Sequence, residues 1–195
     1  MTINYEEHRV VNSNPKNKTE IKQCETWETP NIFRHTENKF DDFEAEVLLP
    51  HKNSTLGPAL ATGDLNGDGL DDYVVGGAVG QRAAVFMQTK EGEFVKMEIE
   101  DLDDDQYYED LGILIFDADN DGDNDFYIAS GGNEYMPQSP GYEDRLFENI
   151  GTNKFRRNTE ALPDIKISGM NVTASDFDKD GDLDLFVGGR LVPKK

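Results

Sequence analysis

Hydrophobic positions fall in short runs separated by polar turns that contain glycine. The runs are rich in aromatic and β-branched residues, a strand signature. From residue 59 they read ALATG, DYVVGG, RAAVFMQT and EFVKMEIE, with KEG turning the last hairpin. From residue 112 they read GILIF, DFYIAS, RLFENI and KFRRNT. The long polar stretch GGNEYMPQSPGYED interrupts the second set between its second and third runs. A third set begins with NVTAS at Asn171 and DLFVGG, and runs out near Val192 after two strands. Residues 40–50, FDDFEAEVLLP, are expected to close a ring or to form an outer strand.

Between the first and second run of each set lies an acidic segment of fixed spacing. Asp64, Asn66, Asp68 and Asp72 stand at positions 1, 3, 5 and 9 of the first. Asp117, Asp119, Asp121 and Asp125 occupy those positions in the second, and Asp176, Asp178, Asp180 and Asp184 in the third. Position 6 is Gly69, Gly122 or Gly181, where a sharp turn with positive φ carries no Cβ penalty. Position 7 (Leu70, Asp123, Asp182) varies in type, as suits a ligand that offers its backbone carbonyl. Odd-numbered side chains of a coiled loop converge on one point. A hard cation there would take their oxygens and cancel their repulsion. The flexible, oxygen-only donor set favours calcium over magnesium, with about three ions bound at loops 64–72, 117–125 and 176–184.

An EF-hand would place a bidentate Glu at position 12 and then a helix. Position 12 here is Val75, Ile128 or Val187, each within a strand-like run. The unit is therefore strand, metal loop, strand. The first aspartates recur after 53 and 59 residues, a period that fits a four-stranded propeller blade.

The motif D-x-[DN]-x-D-G-x-x-D between two strands, ending in apolar-Gly-Gly, resembles the FG-GAP/VCBS repeat. The stretches ENKFDDFEAEVLLPHKNSTLGPALATGDLNGDGLDDYVVGGAVGQ and YEDRLFENIGTNKFRRNT are similar to bacterial relatives of cartilage acidic protein. The resemblance covers about Phe33 to Lys195. It implies an all-β fold of propeller blades, with the aspartates above as calcium ligands and Asn66 a departure from the usual Asp. About three blades cannot close a ring that needs roughly 4–8. A fragment of a longer protein, or part of an assembly that self-associates through open propeller edges, is expected.

Residues 1–32 are polar and read as a linker, with Trp27 expected to pack on the first blade. The net charge of −21 disfavours nucleic acid and anionic lipid as partners. One cysteine, Cys24, permits no internal disulfide. No run reaches transmembrane length, and MTINYEEHRV lacks the apolar core of a signal peptide. Because weak calcium modules fill only where calcium is plentiful, the expected home is extracytoplasmic (secreted, periplasmic or cell surface), with the export signal absent from this chain.

His8, His35 and His51 show no metal-ligand spacing and read as structural or exposed. No nucleophile elbow, phosphate loop or Cys-x-x-Cys is present, and no catalytic constellation emerges. Two function classes remain. One is a calcium-stabilised module for adhesion or for binding a protein or glycan. The other is the propeller of a secreted carbohydrate-active enzyme, which would need a carboxylate pair outside the loops. The 131–144 loop, with Asn133, Glu134, Tyr135 and Tyr142, is a ligand platform or merely a surface excursion.

Overall fold

The computed structural model describes residues 33–194, so the expectations for the 1–32 segment, Trp27 included, lie outside the described residues. Ten strands form three antiparallel sheets. The first blade is β1 (Leu60–Gly63), β2 (Asp72–Val75), β3 (Ala84–Gln88) and β4 (Phe94–Met97), hydrogen-bonded in that order. The second is β5 (Asp110–Phe116), β6 (Asp125–Ser130), β7 (Arg145–Asn149) and β8 (Phe155–Asn158), again in sequential order. The third sheet has two strands, β9 (Gly169–Ser175) and β10 (Asp184–Gly189), which leaves β10 an open edge among the described residues.

The second blade is the middle layer, and β6 shows it. All six of its residues are buried, because both faces are covered. Phe126 and Ile128 pack with Leu65, Val74 and Val85 of the first blade, joined by Phe147 and Phe155. Tyr127 and Ala129 point the other way, toward Val172, Leu185 and Val187 of the third sheet. The continuous apolar run FYIA follows from this double burial. A strand with one solvated face would alternate instead. The Phe126 and Phe147 rings stack at 4.7 Å, as do Tyr73 and Phe86 in the first blade. On β10, Phe186 faces outward and is 71% exposed.

The leading strands β1, β5 and β9 pack side by side, and glycine permits their approach. A Cβ on Gly63 would stand 2.9 Å from Ile115, and one on Gly112 would stand 2.7 Å from the Met170 carbonyl. Each leading strand then runs into its acidic loop, so the three loops lie at one end of the blades. The Gly-Gly ends of β2, β6 and β10 mark the other end.

Residues 40–50 depart from the expected strand. They begin as a one-turn helix, α1 (Asp42–Ala45), capped by the Asp41 side chain, which accepts from the Phe43 N–H. Asp42 is fully buried and accepts hydrogen bonds from Ser54 N–H and Oγ. Helix-capping and turn chemistry thus override the apolar pattern of VLL, whose Val47 and Leu48 remain exposed. The 131–144 loop contains a 3-10 turn, Pro140–Tyr142, with Tyr142 buried.

Candidate metal centre

The three acidic loops share one backbone geometry. Position 6 has φ of 82° at Gly69, 96° at Gly122 and 102° at Gly181. A Cβ there would meet nothing within 4 Å, so conformation and not crowding selects glycine. Position 4 is left-handed too, at Gly67 (74°), Asn120 (61°) and Lys179 (65°). Only the first loop places glycine at that second turn.

Side chains within each loop hold its amides in a ladder. The position-3 oxygen accepts from the position-5 amide at Asn66–Asp68 (2.9 Å), Asp119–Asp121 (3.2 Å) and Asp178–Asp180 (3.3 Å). The position-5 carboxylate accepts from the position-7 amide at Asp68–Leu70 (2.9 Å), Asp121–Asp123 (3.0 Å) and Asp180–Asp182 (3.0 Å). Position 1 reaches furthest. Asp64 accepts from the amides of Asn66, Gly67, Asp68 and Gly69. Burial works to raise its pKa, but these four donors prevail and hold it below the ordinary carboxylate value.

Position 9 ties the loop to the blade. Asp72 accepts from Leu65 N–H (2.9 Å) with one oxygen and from Gln88 N–H (2.8 Å) with the other. Asp125 does the same with Ala118 and Asn149, both at 2.7 Å. Each carboxylate therefore clamps the loop entrance to the end of the third strand. Burial, then the neighbouring acids, push Asp125 up to about 6, although its amide partners oppose this. In the third sheet, which has two strands among the described residues, Asp184 is exposed and there accepts only from Phe177 N–H (2.9 Å).

These contacts leave donors for an ion. Asp117, Asp119 and Asp121 each offer an oxygen, and the three atoms lie within 4.8 Å of one another. Asp176, Asp178 and Asp184 do likewise. Oxygens at about 2.3–2.6 Å from one calcium are at most about 5 Å apart, and the spacing of both triads falls within that limit. Asp123 Oδ1 and Asp176 Oδ1 are buried with no hydrogen-bond partner. A carboxylate oxygen that accepts one N–H retains a second lone pair, so the position-9 clamp is compatible with ligation. Leu70 and Asp182 occupy position 7, and the Asp182 carboxylate accepts from Asn120 Nδ2 at 3.1 Å. In the first loop Asp64, Asp68 and Asp72 do not form such a triad among the described residues. Asp64 is engaged by its own backbone, and position 3 is Asn66.

Amides absent from the spacing motif link the loops. Asn124 Nδ2 donates to the Asp64 carbonyl (2.7 Å), and Asn149 Nδ2 donates to the Leu65 carbonyl (2.9 Å). Asn149 lies 84 residues from Leu65, so no local pattern would reveal it.

At the opposite end of the blades, Arg145 is fully buried between Asp105 and Asp110 and lies 3.9 Å over the Tyr108 ring. Both acids are almost wholly buried, and Asp110 also accepts from Gly77 N–H at 2.7 Å. This ion-pair triad fixes the start of β5 to the start of β7. Among the described residues, no helix is long and apolar enough to cross a membrane.

Comparison with known proteins agrees with the repeat geometry. No curated protein matches the chain. The family described as FG-GAP-like repeat matches residues 64–128 and 117–187, each match running from one acidic loop into the strand after the next. Together the matches cover more than half of the 195 residues, and the chain belongs to the FG-GAP-like repeat family.

Proposed function

We propose that this chain is a calcium-binding β-propeller repeat module of a secreted or cell-surface protein, working in adhesion or in binding a protein or glycan ligand. The observation that carries the reading is the convergence of two aspartate triads, Asp117–Asp119–Asp121 and Asp176–Asp178–Asp184, on loops of identical design. Calcium would be held by the odd-position oxygens and would neutralise carboxylates that otherwise repel across each turn. The first loop would take its ion after Asp64 exchanges backbone partners, so it is the weakest of the three. Sites of this exposed kind fill where calcium is abundant, which supports an extracytoplasmic home. The open β10 edge and exposed Phe186 offer a surface for association with further strands.

Thermal unfolding with calcium and with a chelator tests the proposal. A ligand at ten times its Kd adds about 1.4 kcal/mol per site when only the folded state binds. Three sites would supply about 4 kcal/mol, against a total of roughly 5–15. Chelation is expected to lower Tm by roughly 10 °C. An unchanged melting curve would sink the structural role of calcium. If chelation instead abolished turnover of a glycan, the carbohydrate-active reading would replace it.

A further inference from the structure

We propose that the end of the blades opposite the aspartate loops is a proton-operated latch, in which Glu109 stays a neutral acid at neutral pH and its ionisation at alkaline pH releases the 131–144 loop from the start of β5. The latch is independent of the calcium reading.

Four stretches of chain meet around the Glu109 side chain, which is fully buried. The turn between β2 and β3 donates Val79 N–H to Oε2 at 3.2 Å. The 131–144 loop is fastened to the same residue, since Gly131 N–H donates to the Glu109 carbonyl at 2.8 Å. That loop also lies against the side chain. A Cβ on Gly132 would stand 3.0 Å from Glu109 Cγ and would overlap Glu134 Oε2. On another side, Oε1 is 3.5 Å from where a Cβ on Gly57 would stand, and His35 flanks the same position. Oε1 has no hydrogen-bond partner.

The ionisable groups around Glu109 are nearly all acids. Its neighbour Asp110 is answered by Arg145, which also holds Asp105, and among the described residues no Lys or Arg pairs with Glu109. The 131–144 loop brings Glu134, and the segment at 33–37 brings Glu37 and His35. His35 Nε2 is turned to Glu37 at 2.8 Å, so its proton goes to that acid. The turn at 76–81 and residues 57–58 carry no ionisable side chain.

A buried carboxylate among acids is costly, and the group takes up a proton instead. Burial, then the charges of Glu134 and Glu37, push the Glu109 carboxyl up to about 9. Burial also pushes Glu134 up to about 7, although amides of its own loop oppose this. As pH rises, Glu134 therefore charges first. Glu109 then ionises beside it, within the contact that holds the loop. A folded value above the unfolded one gives stabilisation that is complete below the unfolded value and is lost progressively up to about pH 9. Opening of the loop returns Glu109 to water, so it becomes about tenfold easier for each pH unit in that window.

Hydrogen exchange of the full chain in calcium, read by mass spectrometry and corrected for the intrinsic rate at each pH, tests this. Between about pH 7.5 and about pH 9, residues 131–144 of wild type should exchange about tenfold faster. Glu109→Gln keeps an acceptor for Val79 but cannot ionise, and should change less than about twofold. If Glu109→Gln loses the wild-type near-ultraviolet circular dichroism, Glu134→Gln decides. Removing that charge should lower the folded value of Glu109 and reduce the acceleration to about threefold, and an unreduced acceleration overturns the proposal. Exchange of the loop that is independent of pH in wild type, or equally pH-dependent in a folded Glu109→Gln protein, also overturns it. So does an equal acceleration in β6, which would be global unfolding and not release of the loop.

Discussion

The two ends of each blade assemble acidic groups in opposite ways. At the loop end, the acids come from alternate positions of one nine-residue turn, and most remain in contact with water. Their repulsion is moderate in that dielectric, and backbone amides satisfy them. At the far end the acids are buried, and their partner comes from a residue distant in sequence. There charge needs a partner built into the fold, and Arg145 is that partner for Asp105 and Asp110. Exposed like charges are screened by water, whereas buried ones need a partner within the fold.

Substitutions that exchange these roles break the comparison most sharply. Arg145→Ala leaves buried Asp110 without a cation and Asp105 with only the more distant Arg157, at 3.9 Å, and should cost about 3–5 kcal/mol in denaturant unfolding, with or without calcium. Asp125→Ala removes the clamp between Ala118 and Asn149 and strands two amides, a loss of about 2–4 kcal/mol. Asp184→Ala, at the equivalent exposed position with a single amide partner, should cost less than half of that. A loss equal to that of Asp125 would show that the clamp is not what distinguishes the complete blades.

Asp42→Ala should cost about 1–3 kcal/mol, because Ser54 and the Asn133 amide lose their acceptor. Burial works to raise the Asp42 pKa, but hydrogen bonds from Ser54, Asn133 and Asn53 hold it below the ordinary carboxylate value. A depressed folded value means that this stabilisation is present above the unfolded pKa and lost as pH falls through the folded one. The difference between wild type and Asp42→Ala should therefore shrink only below about pH 4. Glu91→Ala, an exposed acid in a hairpin turn, is expected to stay within about 0.5 kcal/mol. A larger effect would mean that bulk negative charge, not placement, governs stability.

The loop end was legible because its chemistry is local. Nine consecutive residues carry the aspartate spacing, the glycine turn and the change into a strand, and the family match spans the same residues. The blades were legible for a related reason, since hairpin neighbours are sequence neighbours. The far end was hidden. Arg145 reaches back to Asp105 across 40 residues, so the pair shows no spacing. The strand expected over residues 40–50 failed because Asp41 and Asp42 find acceptor roles that a helical turn satisfies better than a sheet edge.

Calorimetric titration of calcium into the full chain and its Asp121→Ala variant tests the central claim most directly. The expected result is about three ions in the wild type and two in the variant, with the remaining sites unchanged in affinity. Calcium heats that are absent, or a stoichiometry that Asp121→Ala leaves untouched, would contradict the assignment of the aspartate loops as calcium sites.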